Sequence, residues 1–131
     1  MFSRGCQYAI RALIYLAERG GGGPYQIREV AEKLDIPYPF LAKVVQNLVS
    51  HDLLVSRKGP GGGIALAKPA DTIRLLEVVQ AVDGPTSLDR CVLGLPECDE
   101  KHPCALHHAW VDIRESMLDQ LENESLKGLI S

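Results

Sequence analysis

The most restrictive feature of this chain is a pair of short apolar stripes on two segments joined by three residues. Ile27, Val30, Ala31 and Leu34 fall at i, i+3, i+4 and i+7, the signature of one buried helix face. After Asp35, Ile36 and Pro37, the same spacing returns in Leu41, Val44, Val45, Leu48 and Val49. The spacing predicts a helix over 26–34, with no good capping residue before it, and another over 38–51. Two such helices joined by a tight turn form a helix-turn-helix. Tyr38, Lys43, Gln46, Asn47 and Ser50 fall off the apolar stripe of the second helix.

The next fifteen residues narrow the choice of fold. Leu53 to Arg57 and Ile64 to Ala67 read as short strands around the turn Lys58-Gly-Pro-Gly-Gly-Gly63. A hairpin directly after the second helix makes a wing. With a well-buried first helix over 4–19, the expected fold is mainly α: a winged helix-turn-helix with a small β-hairpin wing. Arg57 and Lys58 sit at the hairpin tip, where a phosphate backbone can be met, and Gly61, Gly62 and Gly63 allow close approach of the backbone to DNA. The glycine run lacks the Gly-Lys-Ser/Thr ending of a P-loop and the spacing of a dinucleotide fingerprint, so it does not read as a nucleotide site.

A fourth helix is expected over 72–82. A long C-terminal helix is expected over 105–124, with Leu106, Trp110, Ile113, Met117 and Leu121 on one stripe. Such a stripe packs on its own domain or pairs with a second copy. The second reading is preferred, because the winged helix already has its core. This divides the chain into a DNA-binding domain, 1–84, and a segment 85–131 holding a loop and a dimerisation helix.

Charge obeys the same division. The chain of 131 residues carries −3 overall, but residues 1–74 carry +4 and residues 75–131 carry −7. Binding of a polyanion belongs to the first half. No apolar run reaches the roughly 20 residues of a membrane span. The first ten residues lack the apolar core of a signal peptide, so the expected location is cytoplasmic, with no membrane partner.

The chemistry-bearing residues lie in the second half. Cys91, Cys98 and Cys104 stand within a loop broken by Gly94, Pro96 and Pro103, with His107 just beyond it. Three thiols and an imidazole are four soft ligands, suited to zinc or an iron–sulfur cluster. Gaps of six and five residues between the cysteines are wide for a zinc knuckle and better match a cluster. A thiol switch and incidental cysteines remain alternatives. Cys104 and His107 are expected at i and i+3 at the start of the long helix, facing one side. His102 reads as solvated loop and His108 as pointing away. No catalytic constellation is present, and the chain does not read as an enzyme.

Taken together, these segments resemble the Rrf-type winged-helix transcription regulators. The resemblance covers almost all of the chain. It is carried by Tyr8 to Leu13, Ile36 to Lys43, Lys58 to Gly63, Leu66 to Asp71, Val79 to Gly84, the cysteine loop and Trp110. It implies a homodimer paired through the long helices and an iron–sulfur cluster, 2Fe–2S or 4Fe–4S, on Cys91, Cys98 and Cys104. His107 matches the fourth ligand of IscR-like members. In NsrR-like members that ligand comes from the partner's first helix, where Gln7 stands here. The neighbouring Cys6 of the partner subunit is the rival fourth ligand.

The function implied is a regulator whose affinity for double-stranded DNA is set by a cluster sensing redox state, nitric oxide or iron–sulfur supply. The alternatives are a zinc- or thiol-based regulator and a small iron–sulfur electron carrier. Tyr38, Pro39, Phe40, Lys43 and Gln46 are the candidates for the major groove, with Phe40 also a candidate for the core. A dimer reads a roughly palindromic operator.

Overall fold

The computed structural model describes residues 2–95 and 100–130. The first helix, α1 (Arg4–Glu18), is central. Ser3 caps it, its Oγ accepting the Cys6 N–H at 3.0 Å, which satisfies one of the free donors of the first turn. Ala9, Ala12, Leu13 and Leu16 are fully buried, so most of its circumference is core. Helices α2 (Ile27–Leu34) and α3 (Tyr38–Ser50) pack across it.

The α2–α3 turn is tightly determined. Asp35 takes the left-handed conformation, φ 54°, and the Ile36 N–H reaches back to the Ala31 carbonyl at 2.9 Å, which closes the helix end. Ile36 is buried. From α1, the Arg11 guanidinium donates to the Leu34 carbonyl. Pro39 occupies the first turn of α3, where a missing N–H costs no helical bond.

Strands β1 (Leu54–Arg57) and β2 (Gly63–Leu66) pair antiparallel, with Leu54 opposite Leu66 and Arg57 opposite Gly63. Tyr25 adds a bridge, exchanging backbone bonds with Ile64 at 2.9 and 2.7 Å. The wing is therefore stitched to the segment before α2.

Helix α4 (Leu75–Asp83) begins three residues later than its apolar spacing predicts. The cause is a contact the local pattern does not encode. The Leu75 N–H donates to the Glu124 carbonyl at 3.0 Å, and the Leu126 N–H donates to the Ile73 carbonyl at 2.8 Å. Residues 73 and 74 are held extended against residues 124–126. Leu126 is fully buried in the main core, so the last residues of the second segment close the first.

Helix α5 (His107–Asn123) starts two residues later than expected, and Cys104 lies in the turn before it rather than in its first turn. Its apolar stripe is divided. Trp110 and Leu121 are buried, and Leu121 joins Cys6, Leu75, Val79 and Leu88 in a second, smaller core. Leu106 and Ile113 of the same stripe are exposed, Ile113 by 52%. No helix among the described residues is long and apolar enough to cross a membrane.

Candidate nucleic-acid interface and cysteine site

Helix α3 separates its two roles by face. Leu41, Val44, Val45 and Leu48 are buried. Tyr38, Pro39, Phe40, Lys43 and Gln46 lie off that face, and Tyr38, Pro39, Phe40 and Gln46 are exposed, with Lys43 among the surface bases nearby. Phe40, equally a candidate for the core from its sequence, is 61% exposed and belongs to the outer face. An exposed aromatic beside a lysine and a glutamine is a surface suited to stacking, base-edge and phosphate contacts.

The wing glycines divide by role as well. Gly61 is exposed at the turn with φ 74°, beside exposed Arg57 and Lys58. Gly62 is buried, and a Cβ there would collide with the Arg57 carbonyl. Gly63 sits at φ 143°, where a Cβ would collide with the Tyr25 carbonyl. Gly62 and Gly63 are thus required by the wing's own packing, with Gly62 buried, Gly63 half-buried and Gly61 exposed.

The bases of the first half are not equally available. Arg11 caps α2. Arg19 lies over the Tyr15 ring at 3.5 Å. Lys68 pairs with Glu77 at 2.9 Å, and the Arg74 guanidinium donates to the Asn123 carbonyl at 3.3 Å. Burial acts to raise the Glu77 carboxyl, but the Arg74 N–H and Lys68 outweigh it and hold it below its ordinary value. The bases around the α3–wing face include Lys43, Arg57, Lys58 and Arg28. Arg28 was not among the residues singled out by sequence. The turn brings it over the Tyr38 ring, 4.3 Å from the centroid.

At the other end, Cys91 and Cys104 are brought together. Cys91 Sγ accepts backbone N–H groups of Leu95, Leu93 and Gly94 and the Cys104 thiol. These bonds, led by that of Leu95, hold the Cys91 thiol below its ordinary value despite its burial. Cys91 lines a cavity of about 380 Å³ with Phe2, Ser3, Asp83, Arg90 and Trp110. The Trp110 Nε1–H donates to the Arg90 carbonyl at 2.9 Å, which anchors the start of α5 beside Cys91. His107 is 3% exposed, one turn before Trp110 on the same face. Its N–H donates to the Cys104 carbonyl at 3.1 Å, so a turn links the two even though Cys104 precedes the helix. Its ring meets that of His108 edge-on at 5.4 Å. His102 and His108 are exposed. Cys98 lies outside the described residues. Among the described residues, no three His, Cys, Asp or Glu side chains gather closely enough to hold a metal ion.

Cys6, the rival fourth ligand, is fully buried within its own protomer. Burial, reinforced by the charge of Asp83, pushes its thiol up to about 12. It packs there with Leu75, Val79, Leu88 and Leu121.

One clasp lies between the two ends. The Ser3 N–H donates to the Asp83 carboxylate at 3.1 Å, and the Ser3 hydroxyl donates to it as well. Ser3 and Asp83 line the Cys91 cavity and also a cavity of about 540 Å³ bounded by Arg4, Tyr8, Phe40 and Lys43.

The helix-turn-helix, stitched wing and outward α3 face define a winged-helix transcription regulator. The family model described as "Rrf2: Iron-dependent Transcriptional regulator" matches residues 2–131, and the chain belongs to that family. It is 32% identical over 125 residues to the HTH-type transcriptional regulator IscR of Sodalis glossinidius, covering 95% of this chain and 75% of that one. Among solved structures, it is similar to CymR, the global cysteine regulator of B. subtilis, with a TM-score of 0.80 and 25% identity. That match covers 98% of this chain and 95% of CymR. IscR of T. potens shares the fold, with a TM-score of 0.75, 20% identity, and coverage of 99% and 85%. These relatives are transcription regulators, and the chain is one as well, not an enzyme.

Proposed function

We propose that the chain binds double-stranded DNA as a homodimer in the cytoplasm, with an affinity set by an iron–sulfur cluster on Cys91, Cys98, Cys104 and His107. The observation that carries the sensor half is the meeting of the Cys91 and Cys104 thiols beside buried His107 and Trp110. Soft sulfur donors cradled by backbone N–H groups fit a 2Fe–2S or 4Fe–4S cluster. Held by Cys91, Cys98, Cys104 and His107, such a cluster would supply a redox- and nitric-oxide-sensitive group, and Cys91 and Cys104 would be tied through it as well as through their own hydrogen bond. The Ser3–Asp83 clasp, shared by both cavities, offers a path from the cysteine loop to α1 and to the back of α3. A change of about 1–3 kcal/mol in DNA binding suffices to switch occupancy.

The α3 face, with Tyr38, Pro39, Phe40, Lys43 and Gln46, enters the major groove. Arg57, Lys58 and Gly61 meet the backbone. Exposed Leu106 and Ile113, with exposed Val92, Leu93 and Leu95 earlier in the second segment, support pairing of two copies. A two-fold dimer reads a roughly palindromic operator with half-sites about 34–36 Å apart.

Absorption and iron content of the anaerobically purified protein test the reading. A visible charge-transfer band lost in Cys98→Ala is expected; colourless protein with stoichiometric zinc would sink the cluster. The same thiol contact favours a second reading, a Cys91–Cys104 disulfide. A peroxide would take two electrons and two protons from the thiols and leave as two waters. A colourless, metal-free protein that loses two thiols on peroxide treatment would select that reading.

A further inference from the structure

We propose that Arg28 is a positioning residue for base reading, acting by holding the Tyr38 ring in one pose at the head of α3. The inference rests on the reading that α3 enters the major groove. Tyr38 is the first residue of α3 and is 38% exposed. An exposed phenol at a helix start has few neighbours to select its rotamer. Here the selection comes from α2. Arg28 lies with its guanidinium carbon 4.3 Å from the centroid of the Tyr38 ring, inside the range of cation–π attraction. Among the described residues, that ring is the one partner of the Arg28 side chain. The contact is therefore not a by-product of an ion pair elsewhere.

The frame behind the pair is rigid. Left-handed Asp35, the Ile36-to-Ala31 backbone bond and the Arg11 cap fix the start of α3 against α2. Ala31, Asp35 and Ile36 also line a cavity of about 330 Å³ together with Arg28 and Tyr38. One face of the phenol is covered by the guanidinium. The exposed part of the side chain is left for the nucleic acid. A ring ordered before binding loses less freedom on contact, and it presents one geometry to the base edges. Arginine is needed because its planar group stacks, which an ammonium does not.

The test uses the full chain, purified anaerobically, and a duplex that the native protein selects from a randomised pool. Affinities for that duplex and for a scrambled duplex are measured by fluorescence anisotropy over a salt series. Arg28→Ala should lower the selected-to-scrambled ratio about two- to fivefold and leave the salt slope unchanged. Tyr38→Leu should lower the ratio at least as much, and the double variant should be no worse than Tyr38→Leu alone. Arg28→Lys should fall between native and Arg28→Ala. Additive losses overturn the proposal. So does a salt slope reduced by about one with the ratio intact, which would make Arg28 a direct phosphate contact. An unchanged ratio in Arg28→Ala while Tyr38→Leu loses it also overturns the proposal. If Tyr38→Leu and Lys43→Ala both leave the ratio intact, the groove reading itself fails, and the inference falls with it.

Discussion

The DNA-reading end and the cysteine end of this chain are built in opposite ways. The first is finished by its own core. Leu41, Leu48, Leu53, Leu54 and Ile64 are all but fully buried, and the wing is tied to Tyr25 by two backbone bonds. The cysteine end rests on the smaller core around Leu88 and Leu121, and it leaves Val92, Leu93, Leu95, Leu106 and Ile113 exposed. The α3 and wing surface is complete in one protomer, whereas the cysteine end still has exposed apolar area. Under the proposed function this contrast suits a switch, because whatever binds the incompletely packed end has free energy to contribute.

The sharpest way to break this contrast is to empty the reader's core. Leu48→Ala should lower unfolding stability by about 2–5 kcal/mol in urea titration and abolish DNA binding. Ile113→Ser should leave the protomer's stability within about 0.5 kcal/mol and weaken only self-association, read by sedimentation. Equal losses of stability from both changes would mean that the two ends fold as one uniform core.

Next in size are the wing glycines. Gly63→Ala forces a β-carbon into the left-handed region against the Tyr25 carbonyl and should cost about 1–3 kcal/mol. Gly61→Ala meets open space and should cost less. Hydrogen exchange at Ile64 should report the difference. The reverse order would place the constraint at the tip.

A smaller effect belongs to the wing charge. Lys58→Ala should leave the melting temperature unchanged, weaken binding across DNA sequences, and reduce the salt slope by about one. An unchanged slope would remove the wing tip from the interface.

The smallest effect comes from Glu77, whose carboxyl lies below its ordinary 4.5 through the Arg74 N–H and Lys68. A carboxyl depressed in the folded state adds stability that is full at neutral pH and is lost as pH falls through the folded value. With both side chains partly exposed, the gain should stay within about 1 kcal/mol. Lys68→Met should flatten the acid side of the stability–pH curve below about pH 4.5, as read by thermal melts from neutral to acid pH. A curve unchanged by that substitution would assign the depression to the backbone bond alone.

Much of the reader was legible in the sequence because its determinants are local. The i, i+3, i+4, i+7 stripes of α2 and α3 show which face is core, and the residues left over, Tyr38, Lys43 and Gln46, are those found off the core. The wing was legible from Lys58 to Gly63 because turn chemistry is a matter of neighbours. The cysteine loop showed its concentration of soft donor side chains by composition.

What only the tertiary structure decided depends on residues distant in the chain. Gly62 and Gly63 of the wing are also needed for the close approach of the Arg57 and Tyr25 carbonyls. Phe40 had no local reason to be outside, since an aromatic fits either face. The apolar stripe of α5 reads as one seam, yet α4 covers Leu121 and leaves Ile113 open. Leu126 returning to Ile73, and Arg28 reaching Tyr38, leave no periodic trace. The sequence by itself determined which elements form and which chemistry each carries, because hydrophobic period and turn preference act over a few residues. Which residues meet was decided by packing, since burial and hydrogen bonding depend on neighbours that the fold supplies.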